Sequence, residues 1–277
     1  MTPWLPFAVA ALLVWSVQRV VTKTALTRWS TAYFYRLNAI LSLVVYVPFA
    51  LEVPPDPAGL PGAFALSLLM AATFWVTTEA TRRGPVGLVS PLTALSPAVT
   101  VALAVGLLGE RPDASALAGV VLALGGAVLL AYRPTASGAA SGWLGLAVAS
   151  LAMQGVGAFA AKLVVTGHGP TDLLVVGALT QIVVGAVIAR DEPLAASRLL
   201  RGGELVIAVT LVAAAAATIG YLTALSLGPA SVIVPLVATS PALGGLLGIV
   251  LLREAWTRRQ LLGIACGVVA AALLATA

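Results

Sequence analysis

Ten long apolar runs, separated by short connections rich in glycine, proline or charge, account for most of the 277-residue chain. A run of about 18 or more apolar residues can cross the hydrocarbon core of a bilayer as one helix. We therefore predict an all-α, polytopic membrane protein with ten transmembrane helices. The predicted spans are 4–24, 33–51, 62–80, 86–108, 114–132, 143–165, 172–189, 204–226, 230–252 and 259–276.

The second half of the chain repeats the first. Residues 84–131 align with residues 228–275 without a gap, and about 18 of these 48 positions are identical. The two predicted domains, 1–134 and 142–277, contain five spans each, and the Ser/Gly/Ala-rich segment 134–142 joins them. Because five is odd, the second half must enter the membrane inverted relative to the first. Inverted repeats of this kind are a common plan of secondary transporters.

The composition excludes several other classes of protein. Apolar residues make up 60% of the chain and charged residues 9%, whereas soluble domains are about one quarter charged. The chain has a single cysteine, Cys266, so it cannot form an internal disulfide. With only one histidine, His168, in addition, a His/Cys metal cluster is excluded, and so is a Ser-His-Asp triad away from His168. The basic residues behind the net charge of +5 lie singly or in pairs between apolar runs, which does not indicate a nucleic-acid partner. We predict no enzyme activity, no metal and no cofactor.

The basic residues also predict an orientation in the inner (plasma) membrane. With ten spans both termini share one side, and the odd-numbered connections lie on the other. Loops rich in Lys and Arg stay in the cytoplasm, so both termini are expected to be extracytoplasmic. The twelve basic residues expected on the cytoplasmic side are Lys23, Arg28, Arg36, Arg82, Arg83, Arg133, Arg190, Arg198, Arg201, Arg253, Arg258 and Arg259.

Several short motifs occur in both halves at matching offsets. Those of the first half are Trp15, Lys23, Arg36, SPLTALSPAV (90–99), LLGERP (107–112) and Gly119. Those of the second half are Lys162, VPLVATSPAL (234–243), LLREAW (251–256) and Gly263. Together they resemble the drug/metabolite transporter superfamily, and within it the ten-helix EamA-type carriers. The resemblance covers nearly the whole chain.

This resemblance implies a carrier of small polar metabolites, often amino acids and often moved outward. The chain departs from the family pattern in the second half, which has Gln154 in place of Trp15 and no arginine that matches Arg36. The substrate cavity is therefore expected to be chemically unequal in its two halves. Members of the family are often drawn with cytoplasmic termini, which is the opposite of the orientation that the charges predict.

Arg19 is the first candidate for substrate binding, because an ionisable group inside a membrane helix is costly and often functional. Trp15 and Gln18 lie on the same face of the predicted first helix. Arg19 could pair with a substrate carboxylate while Trp15 forms an aromatic wall. The alternative is an arginine that extends to the cytoplasmic headgroups.

Glu79 is the second candidate, near the end of the third predicted helix, with Trp75 and Thr78 on its face. Its carboxylate could hold a substrate amine or accept a proton from the gradient. It could equally form an interfacial ion pair with Arg82 or Arg83, which follow at helical offsets of three and four.

In the second half, Gln154 and Tyr221 are the polar or amphipathic candidates, and both are expected to face the bundle interior. Prolines repeat within the fourth and ninth spans, and interior prolines kink helices. We predict that these two helices bend as gates, although static curvature would produce the same pattern. The four prolines are Pro91, Pro97, Pro235 and Pro241.

The leading interpretation is a secondary transporter that binds a small polar molecule near the bilayer midplane and exposes it to each side in turn. Protons are a candidate coupling ion. A passive channel is one alternative, although channels are usually oligomers with ring-forming polar filters. A membrane-embedded lipid enzyme is a weaker one, since the acidic residues are scattered rather than clustered as metal ligands. The sequence specifies neither the substrate nor the oligomeric state.

Overall fold

The computed structural model describes residues 2–26, 31–83, 86–131, 142–188, 203–252 and 257–276. All regular structure in these residues is α-helical, so the all-α prediction is confirmed. The helices are α1 (Leu5–Leu26), α2 (Thr31–Glu52), α3 (Leu60–Arg83), α4 (Val86–Thr93), α5 (Ser96–Leu108), α6 (Ala114–Ala131), α7 (Trp143–His168), α8 (Thr171–Ile188), α9 (Gly203–Leu227), α10 (Ala230–Val237), α11 (Ser240–Leu252) and α12 (Arg258–Thr276).

Eight of the predicted spans coincide with a described helix to within a few residues, and the other two coincide with pairs of helices. Seven segments of the described residues are long and apolar enough to cross a membrane, and two shorter helices are similarly apolar. Many large apolar side chains are exposed, including Leu51, Trp75 and Val187, as expected of a protein surrounded by lipid. The count of ten transmembrane helices and the inversion of the two halves stay predictions.

The fourth and ninth spans are each broken in the middle. The first break separates α4 from α5 at residues 94–95, and the second separates α10 from α11 at residues 238–239. In the alignment of the two halves these breaks fall at the same position. The duplicated sequence therefore specifies the break twice.

Pro97 and Pro241 account for the breaks. Each is the second residue of the helix that follows, where a missing N–H costs nothing because no intrahelical partner exists there. Pro97 and Pro241 thus lie at the starts of new helices. The prediction that both lie inside a continuous helix and bend it is wrong in this respect. Pro235 does lie inside its helix, α10. Pro91 is a residue of α4, but its side chain is not among those that the structure describes.

The helices of the two halves pack against each other extensively. Helix α1 packs on α9 and α11, α7 packs on α3 and α5, α2 packs on α8, and α6 packs on α12. The last pair approaches closely, because Gly126 lies against the carbonyl oxygen of Gly263. A Cβ atom at Gly126 would lie 2.9 Å from that oxygen, so only glycine fits this crossing without a shift.

Candidate functional site

Arg19 lies against the break in the ninth span. Its Nε and Nη2 donate hydrogen bonds to the Oγ of Ser240, at 3.2 and 3.1 Å. Ser240 is the buried first residue of α11. The Gly244 backbone approaches α1 one turn later, since a Cβ there would lie 3.1 Å from the carbonyl oxygen of Ser16. The sequence-predicted arginine is therefore placed at a broken helix, which the sequence alone did not indicate.

The exposure of Arg19 is informative because of its position on α1. Ala8, Ala11, Leu12 and Ser16 occupy the same face of this helix and are buried in the bundle. Arg19 follows them on that face and is nevertheless exposed. Its side chain is thus accessible, toward the end of the bundle at which α1 ends.

Trp15 and Tyr221 form an aromatic pair one turn from Arg19. Their ring centroids are 5.3 Å apart and the ring planes are tilted by 52°. Trp15 also donates its indole N–H to the carbonyl oxygen of Ala214 at 3.4 Å, so α9 orients the ring. Gln18 lies beside this face and is half-buried. Two predicted residues from opposite halves of the chain are therefore brought together next to the arginine.

Gln154 belongs to a separate polar chain between α7 and α3. Its Nε2 donates to the Oγ of Ser150 at 2.9 Å, and that oxygen lies 2.5 Å from the hydroxyl of Thr77. Thr77 in turn donates to the carbonyl oxygen of Thr73. Such interhelical hydrogen bonds hold membrane helices together. The bond between the two helices is therefore the one from Ser150 to Thr77, and Gln154 adds to it from within α7.

The predicted substrate-binding residues on α3, which are Trp75, Thr78 and Glu79, are separate from Arg19 and its neighbours. Glu79 and Arg83 form an ion pair, with Oε1 2.6 Å from Nε. Thr78 donates to the carbonyl oxygen of Phe74 in its own helix, and the Trp75 side chain is 72% exposed. Among the residues described here, no contact joins this group to Arg19. For Glu79 the structure thus contains the interfacial ion pair that the sequence offered as an alternative.

A second network, which the sequence did not single out, surrounds the turn between α9 and α10. The Glu110 carboxylate accepts hydrogen bonds from the backbone N–H groups of Ala230 and Ser231, at 2.9 and 2.8 Å. The Lys162 ammonium donates to the carbonyl oxygens of Leu225 and Gly228, at 2.5 and 2.8 Å. In the sequence, Glu110 and Lys162 are marked only by the repeat, because Glu110 aligns with Glu254 and Lys162 aligns with Lys23. The alignment does not show that Glu110 and Lys162 contact the same turn.

Polar contacts join the two halves at the same end of the bundle. His168 Nδ1 lies 2.7 Å from Asp56 Oδ2, and the Asp56 N–H donates to Asp172 Oδ1 at 2.8 Å. The hydrogen bond with His168 lowers the pKa of Asp56, and the backbone N–H of Ala58 acts in the same direction. Within the described ranges, no group of three His, Cys, Asp or Glu side chains could hold a metal ion. These contacts fasten connections and form no metal centre.

Long apolar helices, apolar side chains on the outer surface and two broken spans, one of them next to Arg19, are features of a polytopic membrane transport protein. The chain belongs to the EamA-like transporter family, whose model matches residues 2–132 and again residues 141–276. It is therefore a membrane transporter of the drug/metabolite type, and the family predicted from the repeated motifs is confirmed.

One solved crystal structure, described only as that of a protein, shares the fold. It has a TM-score of 0.74 and 19% sequence identity, over 98% of this chain and 95% of its own. At this identity the similarity shows the fold alone. No curated protein matches the chain.

Proposed function

We propose that this transporter is a secondary carrier for a small polar metabolite that bears a carboxylate, most simply an amino acid, and that it moves this substrate outward. The observation that carries the proposal is the position of Arg19. Arg19 is a cation that continues a buried face of α1, its side chain is exposed, and it contacts the start of a helix in the middle of a broken span.

The electrostatics of Arg19 favour an anionic ligand. It donates to the neutral hydroxyl of Ser240, and the described residues place no carboxylate against it. A hydroxyl orients a guanidinium but does not neutralise its charge, and an unneutralised charge within a membrane is costly. A substrate carboxylate that pairs with the guanidinium would supply the neutralising charge. The N-terminal end of α11 would add a favourable dipole for the same anion.

The aromatic pair supports a substrate that also has an apolar part. Trp15 and Tyr221 lie one turn deeper in the bundle than Arg19, so a molecule that pairs with the guanidinium would lie against the two rings. The position equivalent to Trp15 in the second half is occupied by Gln154, which donates to Ser150 within its own helix. The charge and the indole ring that recognise the substrate are thus proposed to come from the first half of the chain, with Tyr221 of the second half beside them.

The packing of the helices supports an inverted repeat and alternating access. Exchange of the two halves turns the pair α1–α9 into α7–α3 and the pair α1–α11 into α7–α5, and all four pairs are present. The pairs α2–α8 and α6–α12 are each converted into themselves. A carrier of this symmetry can open toward either side by exchanging the conformations of its two halves.

The role of Arg19 can be tested by counterflow in proteoliposomes loaded with unlabelled amino acids. Labelled substrate should accumulate transiently in the wild type. Loss of a charge-assisted contact weakens binding by about 1.5–3 kcal/mol, so Arg19→Gln should raise the apparent KM by about 10- to 100-fold. Arg19→Lys, which retains the charge, should be affected less.

Arg111→Gln is the matched control, because Arg111 is an exposed arginine in a connection. It should leave the KM unchanged. A normal KM in Arg19→Gln would contradict the proposed role of this residue. Labelled flux without exchange would instead indicate a passive channel.

A further inference from the structure

The connection between α9 and α10 is held by charges of opposite sign at two adjacent helix ends. Leu225 and Gly228 lie at the C-terminal end of α9, where carbonyl oxygens have no intrahelical partners, and the Lys162 ammonium donates to both of these oxygens. At the start of α10 the N–H groups of residues 230 and 231 lack intrahelical partners, and the Glu110 carboxylate accepts from both. Each charge also has the favourable sign for its helix dipole.

The residues that make these contacts come from different parts of the bundle. Glu110 follows α5 in the first half, whereas Lys162 lies on α7 in the second half. Trp4, at the start of α1, is buried against Gly228 so closely that a Cβ atom there would overlap the indole ring. The turn at 228–229 is thus enclosed from three directions.

Helix α10 itself is buried to a greater extent than its equivalent in the first half. All eight of its residues are buried. It shares with α4 the contacts that the repeat predicts, and it packs in addition on α5, α6 and α7. Within the described residues, α4 has no comparable packing on the equivalent helices α11, α12 and α1. Helix α10 is therefore packed on more helices than α4 is within the described residues, and it lies toward the end of the bundle opposite Arg19.

We propose that Glu110, Lys162 and the turn at 228–229, which we call the closing contact, hold this end of the transporter shut. This proposal rests on the proposed alternating access, because it identifies which residues must separate when the transporter opens toward the α10 side. Release of the Glu110 carboxylate from Ala230 and Ser231 frees the start of α10. The break at residues 238–239 then lets α10 move without displacing α11.

A buried serine of α10 provides a reporter for the opening of this end. Ser231 is fully buried and its Oγ has no hydrogen-bond partner, so Ser231→Cys removes no hydrogen bond of that side chain. The native Cys266 is first replaced by alanine. The rate at which an impermeant maleimide labels Ser231→Cys is measured in lipid nanodiscs, where both faces are accessible. Ala114→Cys, at an exposed position of α6, reports whether the reagent reaches this side at all.

In the Ser231→Cys background, Glu110→Gln should raise the labelling rate about tenfold or more, as expected for loss of a charge-assisted hydrogen bond. Lys162→Met acts on the other helix end and should also raise it, which provides an independent variant if Glu110→Gln does not yield monodisperse protein. Glu254→Gln, at the aligned position of the other repeat, is the control and should leave the rate unchanged.

Unchanged labelling in both Glu110→Gln and Lys162→Met would overturn the closing contact, even if counterflow by the wild type is normal. Equal acceleration by Glu254→Gln would also overturn it, because the effect would then be a general loosening of the bundle. If the wild type shows no counterflow while Glu110→Gln accelerates labelling, the proposed function fails and the closing contact stands.

Discussion

The crossing of α6 and α12 permits a quantitative prediction, because two adjacent glycines have opposite surroundings. In Gly126→Ala the new Cβ would lie 2.9 Å from the carbonyl oxygen of Gly263, 3.1 Å from the backbone nitrogen of Gly267 and 3.1 Å from Cys266 Cβ. Two of these atoms belong to backbone and cannot turn away, so the helices must separate by a few tenths of an ångström. Overpacking of this kind costs about 1–3 kcal/mol.

Gly125→Ala supplies the reference, because a Cβ at this position would have no described atom of a neighbouring helix within 4 Å. Both substitutions replace glycine inside a helix and gain about 1 kcal/mol of helix propensity. The difference between the two variants therefore isolates the contact term of about 1–3 kcal/mol. At about 2–4 °C per kcal/mol for a chain of this size, Gly126→Ala should unfold several degrees below Gly125→Ala.

The measurement is the Tm of each purified variant in the same detergent, with the wild type beside them. Gly125→Ala is expected to equal or exceed the wild type. Equal Tm values for the two alanine variants would refute the argument, since they would mean that the α6–α12 crossing is not as close as described.

Two further predictions concern coupling and orientation. The Glu79–Arg83 ion pair occupies the carboxylate that the sequence offered for protons, so Glu79→Gln should leave the pH dependence of uptake unchanged; loss of pH-driven uptake with exchange intact would instead assign proton coupling to Glu79. The positive-inside rule places the termini outside, so in intact cells lacking Cys266 an impermeant thiol reagent should label Thr2→Cys and not Ala136→Cys, and the reverse pattern would exclude this orientation.

The helical spans were predictable because bilayer crossing imposes a simple rule on composition. A lipid-exposed helix must be apolar over its length, so hydropathy locates each span to within a few residues. The breaks were predictable only in part. The repeated prolines indicated a perturbation in the fourth and ninth spans, but whether a helix bends or restarts at Pro97 and Pro241 depends on the backbone around them.

The candidate site was predicted unevenly for a related reason. Composition identified Arg19 and Trp15 as unusual residues within an apolar helix. It could not identify their partners, because Ser240 is 221 positions from Arg19 along the chain. Glu79 was a candidate substrate ligand because it is a carboxylate in an apolar helix. Its contact in the structure is with Arg83, four residues further along the same helix. Local offsets are visible in a sequence, whereas contacts between distant helices are not.

The sequence repeat by itself determined the class of protein, the membrane spans and the two equivalent breaks. Only the tertiary structure decided that the two copies are used differently. Glu110 and Lys162 bind the turn at Gly228 at one end, while Arg19 bonds to Ser240 toward the other end. The physical reason is that a duplicated sequence can specify two equivalent sets of contacts, whereas the packing of one bundle satisfies them unequally.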